Sequence, residues 1–394
     1  MDRPWLSIIG LNEDGLPGLS DASRAALNGA DIIFGAPRHL SLAAAGDKGR
    51  AWPIPFSTAP VLACRGQKMA VLASGDPFWH GAGGSLVGDL TPGEWVSYPA
   101  PSTFALAANS LGWRLEDTVC LGLHAAPFAR LLPHLTQGQR LICTLRDGAA
   151  AAELANWLTA QGTTAQLHIL ERLGGPHQRI RTTSADIFTL TDVQSPVTAA
   201  IEITTTASLP TTPGLPDDLF HTDGQITKHP IRALTLCALA PRKGAMLWDI
   251  GAGSGSISVE WCLQGGRAIA LETRPDRLAN ITANIAKFAL QDRMQTRHAH
   301  IAAGTLPPDL PAPDAVFIGG GADHALLETL FATLPKGTRL VMNAVTLETE
   351  TLVQQWHVQK GGTLMRIDIA NATPLGRMRG WTPLRPVTQW SVQT

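Results

Sequence analysis

The chain is poor in the features that usually announce a function. Charged residues make up 16% of its 394 positions, and 31 basic against 32 acidic residues leave a net charge of -1. A protein that grips nucleic acid through phosphates usually carries a basic excess, so that role is disfavoured. One Tyr stands against 11 Trp and 10 Phe, and no repeated aromatic motif suits stacking on bases. The five cysteines, Cys64, Cys120, Cys143, Cys237 and Cys262, form no C-x-x-C pair. An odd count at wide spacing excludes a disulfide framework and reads as small apolar thiols. The 12 histidines show no metal-ligand spacing, so no metal is expected. No apolar run approaches the roughly 18 residues that span a bilayer, and the start MDRPWLSIIG is not a secretory leader. The expectation is a soluble, cytoplasmic protein without membrane or nucleic-acid partners.

What is present is globular, at 44% hydrophobic residues, and long enough for two domains at about 150 residues each. Short β-branched runs alternate with Ala/Leu-rich helical stretches, the pattern of α/β domains with largely parallel sheets. LSIIG, DIIFG, KMAVLASG, WVSYPA and RLICTL read as strands, and Ser20–Ala30 as a capped helix. The segment from Ile187 to Thr206 alternates β-branched and polar residues like antiparallel strands. Thr204–Gly224 is rich in Thr, Pro and Gly and aperiodic, which predicts a linker. The expected division is residues 1–207, a linker at 208–224, and residues 225–394.

In the second half, AMLWDIGAGSGSISVEWCLQGGRAIALE runs from Ala245 to Glu272. A strand enters a turn of Gly251, Ala252, Gly253, Ser254 and Gly255, and a helix begins near Ser256. Glycines there let the backbone turn tightly and approach a ligand closely. A second strand ends at Glu272, where a carboxylate commonly accepts hydrogen bonds from ribose hydroxyls. A dinucleotide fingerprint would carry its third Gly at position 256, which is Ser. Asp249 would oppose a pyrophosphate but suits the ammonium of an amino acid. S-adenosylmethionine (SAM), NAD and a purely structural turn all remain open on these residues alone.

Two resemblances narrow the choice. D-x-G-x-G-x-G resembles the turn of class I SAM methyltransferases. Together with Thr227-Lys228 upstream, PDAVFIGGG and NAVTLETE, it resembles the precorrin methyltransferase/decarboxylase domain family of cobalamin biosynthesis over residues 220–394. That resemblance implies a Rossmann-like fold. It also implies that Thr227 touches SAM, Gly251–Gly255 wrap its methionine portion, Glu272 holds the ribose, and His300, Ile301 and Ala302 flank the adenine. Bland alternatives are a helix cap for Thr227 and a solvated strand end for Glu272.

In the first half, VLASGDPFWHGAGGSL carries Gly75, Asp76 and Pro77 after a strand, a corner that alone reads equally as an ordinary turn. With IGLNEDGLPGLS, ADIIFGAPRHL, PAPSTFALAANSLGW, VCLGLHA and ERLGGPHQRI it resembles the tetrapyrrole methylase family over residues 5–205. A-P-R-H-L resembles the cobalamin branch of that family. The implied fold has two α/β subdomains with SAM in the cleft between them. Gly75–Pro77, Ser102 and Thr103, and Leu123, His124 and Ala125 would contact the cofactor. The first loop reads N-E-D-G where the family commonly has G-P-G. His124, a lone His near a strand end, reads more readily as a satisfied structural side chain than as a catalyst.

The two resemblances together imply a bifunctional enzyme of cobalamin biosynthesis with two SAM sites per chain, acting on a tetrapyrrole and decarboxylating it, in a homo-oligomer. A SAM methyltransferase with another substrate and a NAD-dependent dehydrogenase are the alternatives. Methylation of an enamine-like carbon by a sulfonium mainly requires alignment and exclusion of water, so the absence of a catalytic triad or metal cluster fits. His229, Arg232, Arg377, Arg379 and Arg385 are the candidates to grip the substrate's carboxylates.

Overall fold

Short apolar runs punctuated by Gly build the first unit, Met1–Ser208, and a second unit spans Leu209–Thr394. The computed structural model describes residues 4–299, 306–307 and 309–394. In the first unit, β1 (Leu6–Leu11), β2 (Ile32–Gly35), β3 (Gly49–Ala51), β4 (Met69–Ser74) and β5 (Trp95–Tyr98) form an all-parallel sheet in the order β3-β2-β4-β1-β5. β1 and β4 are apolar almost throughout because both faces are covered, as parallel central strands require. The helix Asp21–Asn28 starts where Ser20 Oγ accepts the Ser23 N–H at 3.1 Å.

A second sheet in the same unit comprises β6 (Thr118–Gly122), β7 (Arg140–Thr144), β8 (Ala165–Glu171), β9 (Arg179–Ser184) and β10 (Val197–Ile203), in the order β6-β7-β10-β8-β9. Only β6 and β7 are parallel. The alternation expected from Ile187 to Thr206 resolves into one strand, β10, which pairs antiparallel with β7 and β8. It is buried on both faces rather than half-solvated.

The second unit holds β11 (Met246–Ile250), β12 (Arg267–Glu272), β13 (Met294–His298), β14 (Ala315–Ile318), β15 (Arg339–Ala344), β16 (Thr363–Ile367), β17 (Ala370–Leu375), β18 (Met378–Pro383) and β19 (Val387–Gln393). Seven of them form a sheet in the order β13-β12-β11-β14-β15-β19-β16, with β19 antiparallel to both neighbours. This is the expected Rossmann-like order, and its direction reverses between β11 and β14. Ligands of such sheets bind in the crevice at the carboxyl ends of the strands beside that switch point. The hairpin β17–β18 stands between β16 and β19. Thr388 pairs with Ala344, at the end of β15, and Ile367 pairs with Val387. The hairpin therefore leaves the sheet at the same end as the crevice.

Residues 209–224, expected as a linker, are built into this second unit. Leu215 and Phe220 lie in its core beside Leu236, Ile257 and Phe288. The Glu260 carboxylate accepts the N–H groups of Gly214 at 2.6 Å and Leu215 at 3.0 Å. Two apolar anchors in a Thr/Pro/Gly-rich stretch are enough to seat it, and the surrounding polar residues conceal them in the sequence.

Candidate functional sites

At the switch point of the second unit the backbone turns left-handed three times, at Gly251 (φ +67°), Gly253 (φ +59°) and Gly255 (φ +70°). The reasons differ. A Cβ on Gly251 would lie 2.6 Å from the Gly320 carbonyl oxygen, so this residue lets the loop after β14 close on the turn. A Cβ on Gly255 would lie 3.0 Å from Met294 Cε and 3.2 Å from Ile281, so it serves helix–sheet packing. Around Gly253 the nearest atom is the Gln225 oxygen at 3.5 Å, which leaves the turn open on that side. The N–H groups of Gly251 and Ala252 donate to the Leu271 carbonyl at 2.9 and 3.1 Å, fastening the turn to β12.

Glu272 is buried, and its Oε2 accepts the Gly253 N–H at 2.8 Å. Its Oε1 accepts the N–H groups of Thr273 and Arg274. It is therefore no solvated strand end. Asp249 lies beneath the turn, where Ser258 Oγ donates to its Oδ2 at 2.7 Å. Its Oδ1 and the Ser254 hydroxyl are buried with no hydrogen-bond partner among the described residues. Burial, with a smaller push from the Glu272 charge, raises Asp249 to about 6. Orphaned acceptors under an open glycine turn, next to an anchored carboxylate, fit a ligand that carries an ammonium group and a ribose.

Thr227 is half-buried and is not a helix cap: the helix His229–Leu239 has Lys228 at its cap, with no side-chain bond. The segment before that helix is clipped to the turn by Asn284. Its Nδ2 donates to the carbonyls of His221 and Ser254, both at 2.9 Å, and its Oδ1 accepts the His221 N–H. No local pattern marks Asn284, whose partners lie 30 and 63 residues back, or Ser258, whose partner lies nine residues back on β11. His300, Ile301 and Ala302 lie outside the described residues.

The proposed carboxylate grips separate into two groups. Arg232 is wholly buried and must be withdrawn. Its guanidinium pairs with Glu260 at 2.5 Å and Asp217 at 3.0 Å, donates to the Leu215 and Thr227 carbonyls, and stacks on Phe220. With its donors consumed inside the core, it is a structural cation. His229, Arg377, Arg379 and Arg385 are exposed. Arg377 lies in the turn of the β17–β18 hairpin, Arg379 on β18 and Arg385 after it. Ile231, in the first turn of the helix that His229 begins, packs on Ile367 and Val387 at the hairpin's base. These four thus emerge at the crevice end of the sheet.

In the first unit, Gly75 (φ +57°) sits where the end of β4 meets the loop before the helix Thr103–Leu111. A Cβ on it would lie 2.8 Å from the Pro101 oxygen, and a Cβ on Gly10 only 1.9 Å from the Gly75 oxygen. Three backbone segments converge there with no room for side chains. Asp76 Oδ1 accepts the Phe78 N–H at 2.8 Å, and the Pro77 carbonyl accepts the Gly83 N–H at 3.0 Å. Ser102 is buried and caps the helix through the Ala105 N–H. Thr103 lines a cleft with Asn12, Glu13, Arg38, Ser74 and Thr198.

Leu123 is buried, whereas His124 and Ala125 are exposed at the end of β6. They border a second cleft with Phe128, Arg146 and Glu153. His80 joins this end to the Gly75 loop: its ring lies 3.1 Å from where a Gly122 Cβ would stand and meets Phe104 edge-on at 5.9 Å. Burial, followed by the charges of His124 and Arg130, lowers the His80 pKa. Arg38 and His39 belong to the A-P-R-H-L segment, whose sequence alone assigns neither of them a role.

Of the cysteines, Cys143 and Cys262 are buried and Cys237 is exposed, and all five are free thiols. Among the described residues no group of three or more His, Cys, Asp or Glu is placed to hold a metal ion. No helix there is long and apolar enough to cross a membrane.

Comparison with known proteins adds independent findings. Residues 6–187 match the model of the tetrapyrrole (corrin/porphyrin) methylases, and residues 218–394 match that of the precorrin methyltransferase domain. A Sinorhizobium protein named precorrin-6Y C(5,15)-methyltransferase [decarboxylating] is 42% identical over 98% of this chain and 96% of its own. A Pyrobaculum aerophilum protein named "Probable cobalt-precorrin-6B C(15)-methyltransferase (decarboxylating)" is 34% identical over 45% of this chain and 93% of its own. Among solved structures, the C-terminal domain of precorrin-6Y C5,15-methyltransferase from Rhodobacter capsulatus is 57% identical. It covers 47% of this chain and 100% of that one, with a TM-score of 0.46.

Proposed function

Because this chain belongs to the precorrin-6Y C(5,15)-methyltransferase (decarboxylating) family, we propose that it converts precorrin-6B to precorrin-8X, using two SAM sites on one chain. It is a SAM-dependent methyltransferase, as its family implies. The observation that carries the two-site reading is that each unit has its own glycine-lined strand end, at Gly75 and at Gly251–Gly255. When bound, SAM supplies an electrophilic methyl group on its sulfonium.

The chain's part is to bind, orient and exclude water. In the second unit, Glu272 and the turn from Gly251 to Gly255 hold the ribose and methionine portions. Asp249 faces the ammonium, and Thr227 closes one side. In the first unit, Gly75, Asp76 and Pro77 with Ser102 and Thr103 take the cofactor, and Leu123, His124 and Ala125 border its adenine. His229, Arg377, Arg379 and Arg385 grip carboxylates of the tetrapyrrole beside the second site.

We assign methylation of carbon 15 and decarboxylation of the ring C acetate to the second unit, and methylation of carbon 5 to the first. A half-length relative named for both C(15) methylation and decarboxylation supports keeping those two steps in one unit. In the decarboxylation the bond between the acetate methylene and its carboxyl carbon breaks. Carbon dioxide leaves, the electron pair enters the protonated conjugated macrocycle, and a proton later returns to carbon.

Mass spectrometry of precorrin-6B after incubation with enzyme and SAM tests the reaction. Two added methyl groups and one lost carbon dioxide are expected, and an unchanged mass overturns it. Calorimetric titration with S-adenosylhomocysteine tests the sites: saturation near two per chain is expected, whereas clean saturation at one removes the two-site reading.

A further inference from the structure

We propose that Arg38 is the carboxylate clasp of the first unit's cleft, backed by His39 and Ser74, with Glu13 as the resting counter-ion that a tetrapyrrole side-chain carboxylate displaces. This rests on the reading of the first unit as a tetrapyrrole methylase site. The sequence scatters the four residues over the loop after β1, the helix after β2 and the end of β4, and the fold draws them together.

Arg38 is ion-paired with Glu13 and donates to Ser74 Oγ at 2.9 Å. One of its N–H groups also meets His39 Nε2 at 2.8 Å, and Ser74 Oγ lies 2.9 Å from the same nitrogen. A guanidinium can only donate, so Nε2 is an acceptor here and the imidazole is neutral. Burial, followed by the charge of Arg38, lowers His39 to about 4, in keeping with that assignment. The guanidinium is thus oriented from behind by two neutral groups, which fix its direction without consuming its charge.

Its one neutralising partner in this cluster stands at the cleft. The Arg38 side chain is 34% exposed, against 0% for the structural Arg232, and Arg38 is the single cation among the described lining residues. Ser74 immediately precedes Gly75, so the clasp adjoins the loop assigned to the cofactor. Glu13 belongs to the N-E-D-G loop, the departure from the common G-P-G pattern. Gly175 presses on that loop: a Cβ there would lie 2.5 Å from Glu13 Cβ. The loop's backbone is held while its carboxylate faces the guanidinium. A substrate carboxylate entering the cleft meets a preoriented planar donor fork, the geometry that favours bidentate pairing.

A merely structural ion pair and a clasp predict opposite outcomes for the two partners. Equilibrium binding of precorrin-6B is measured on the full chain loaded with S-adenosylhomocysteine, alongside thermal melts and S-adenosylhomocysteine affinity. Arg38→Gln is expected to weaken tetrapyrrole binding roughly ten- to hundredfold, the scale of a lost charge-assisted hydrogen bond, with cofactor affinity unchanged. Arg38→Lys should recover part of that loss. Glu13→Gln is expected to tighten tetrapyrrole binding, because the competing carboxylate is gone. Unchanged binding in Arg38→Gln, or weakening in a folded Glu13→Gln, overturns the proposal. Failure of the wild-type chain to methylate the tetrapyrrole would instead overturn the function on which it rests.

Discussion

The backbone N–H of Gly253 donates to the Oε2 of Glu272 at 2.8 Å, so the glycine turn after β11 and the acidic end of β12 form one hydrogen-bonded unit. Whatever presses on the turn is felt by the carboxylate, whose two oxygens are held in place by backbone N–H groups. Preorganisation of this kind removes ordering cost from binding.

The turn's glycines are expected to separate by substitution. Gly251→Ala places a Cβ 2.6 Å from the Gly320 oxygen at φ +67°, and should destabilise the chain by more than about 2 kcal/mol. Gly253→Ala meets nothing closer than 3.5 Å, so only the left-handed backbone penalty of about 1–2 kcal/mol applies. That variant should fold, yet bind S-adenosylhomocysteine at one site fewer. Chemical denaturation and calorimetry read both quantities. Full two-site binding by Gly253→Ala would make the open side of the turn irrelevant to the cofactor.

Asp249 should make stability depend on pH. Its pKa rises from 3.8 to about 6 in the fold, so between those values the native state binds more protons than the unfolded chain. Stability contributed by this group is therefore present below about pH 4 and falls as pH rises to 6, by on the order of 2–3 kcal/mol. Asp249→Asn should flatten that slope and raise stability at pH 7.5 by roughly 1–2 kcal/mol, the unpaired amide N–H offsetting part of the gain. The same variant should lose cofactor affinity at the second site, since the negative charge proposed to pair with the ammonium is gone. A pH profile of unfolding unchanged by the substitution would remove this account.

Arg232 and Arg379 should fail in different assays. Arg232→Gln leaves the Glu260 carboxylate buried beside a neutral amide, and breaking such a pair costs about 3–5 kcal/mol. Arg379 is exposed on the hairpin, so Arg379→Gln should leave the melting temperature within a degree or two and raise KM for the tetrapyrrole. A stable Arg232→Gln with raised KM would restore it as a substrate contact.

Separated units should divide the reaction if the cut respects the core. Leu215 and Phe220 pack in the second unit, so the division belongs after Ser208 and not near residue 224. Residues 209–394 should add one methyl and release carbon dioxide from precorrin-6B. Residues 1–208 should add one methyl without decarboxylation. Carbon dioxide release by residues 1–208 alone would reverse the assignment. A second-unit fragment starting at residue 225 should be much less stable, because Glu260 and Arg232 lose the partners in Gly214, Leu215 and Asp217.

The strands, the two glycine corners and the acidic strand end at Glu272 were legible in the amino-acid order alone. Each is a local feature: a short apolar run, a glycine at a left-handed position, a carboxylate closing a strand. Gly251–Gly255 and Gly75–Pro77 therefore stand where the sequence reading put them, at the ends of β11 and β4. Tertiary structure decided everything that depends on burial and distant pairing. Arg232 looked like its exposed neighbours until the fold set it against Glu260, 28 residues on, and Asp217, 15 residues back. The Thr/Pro/Gly-rich stretch looked like a linker until Leu215 and Phe220 found the core. Glu13, Arg38, His39 and Ser74 become a cluster only because β1 and β2 both pair with β4 and bring their ends together. A side chain's charge and size are written in the sequence, but its solvent exposure and its partner are properties of packing, and those two quantities separate a substrate grip from a structural ion pair.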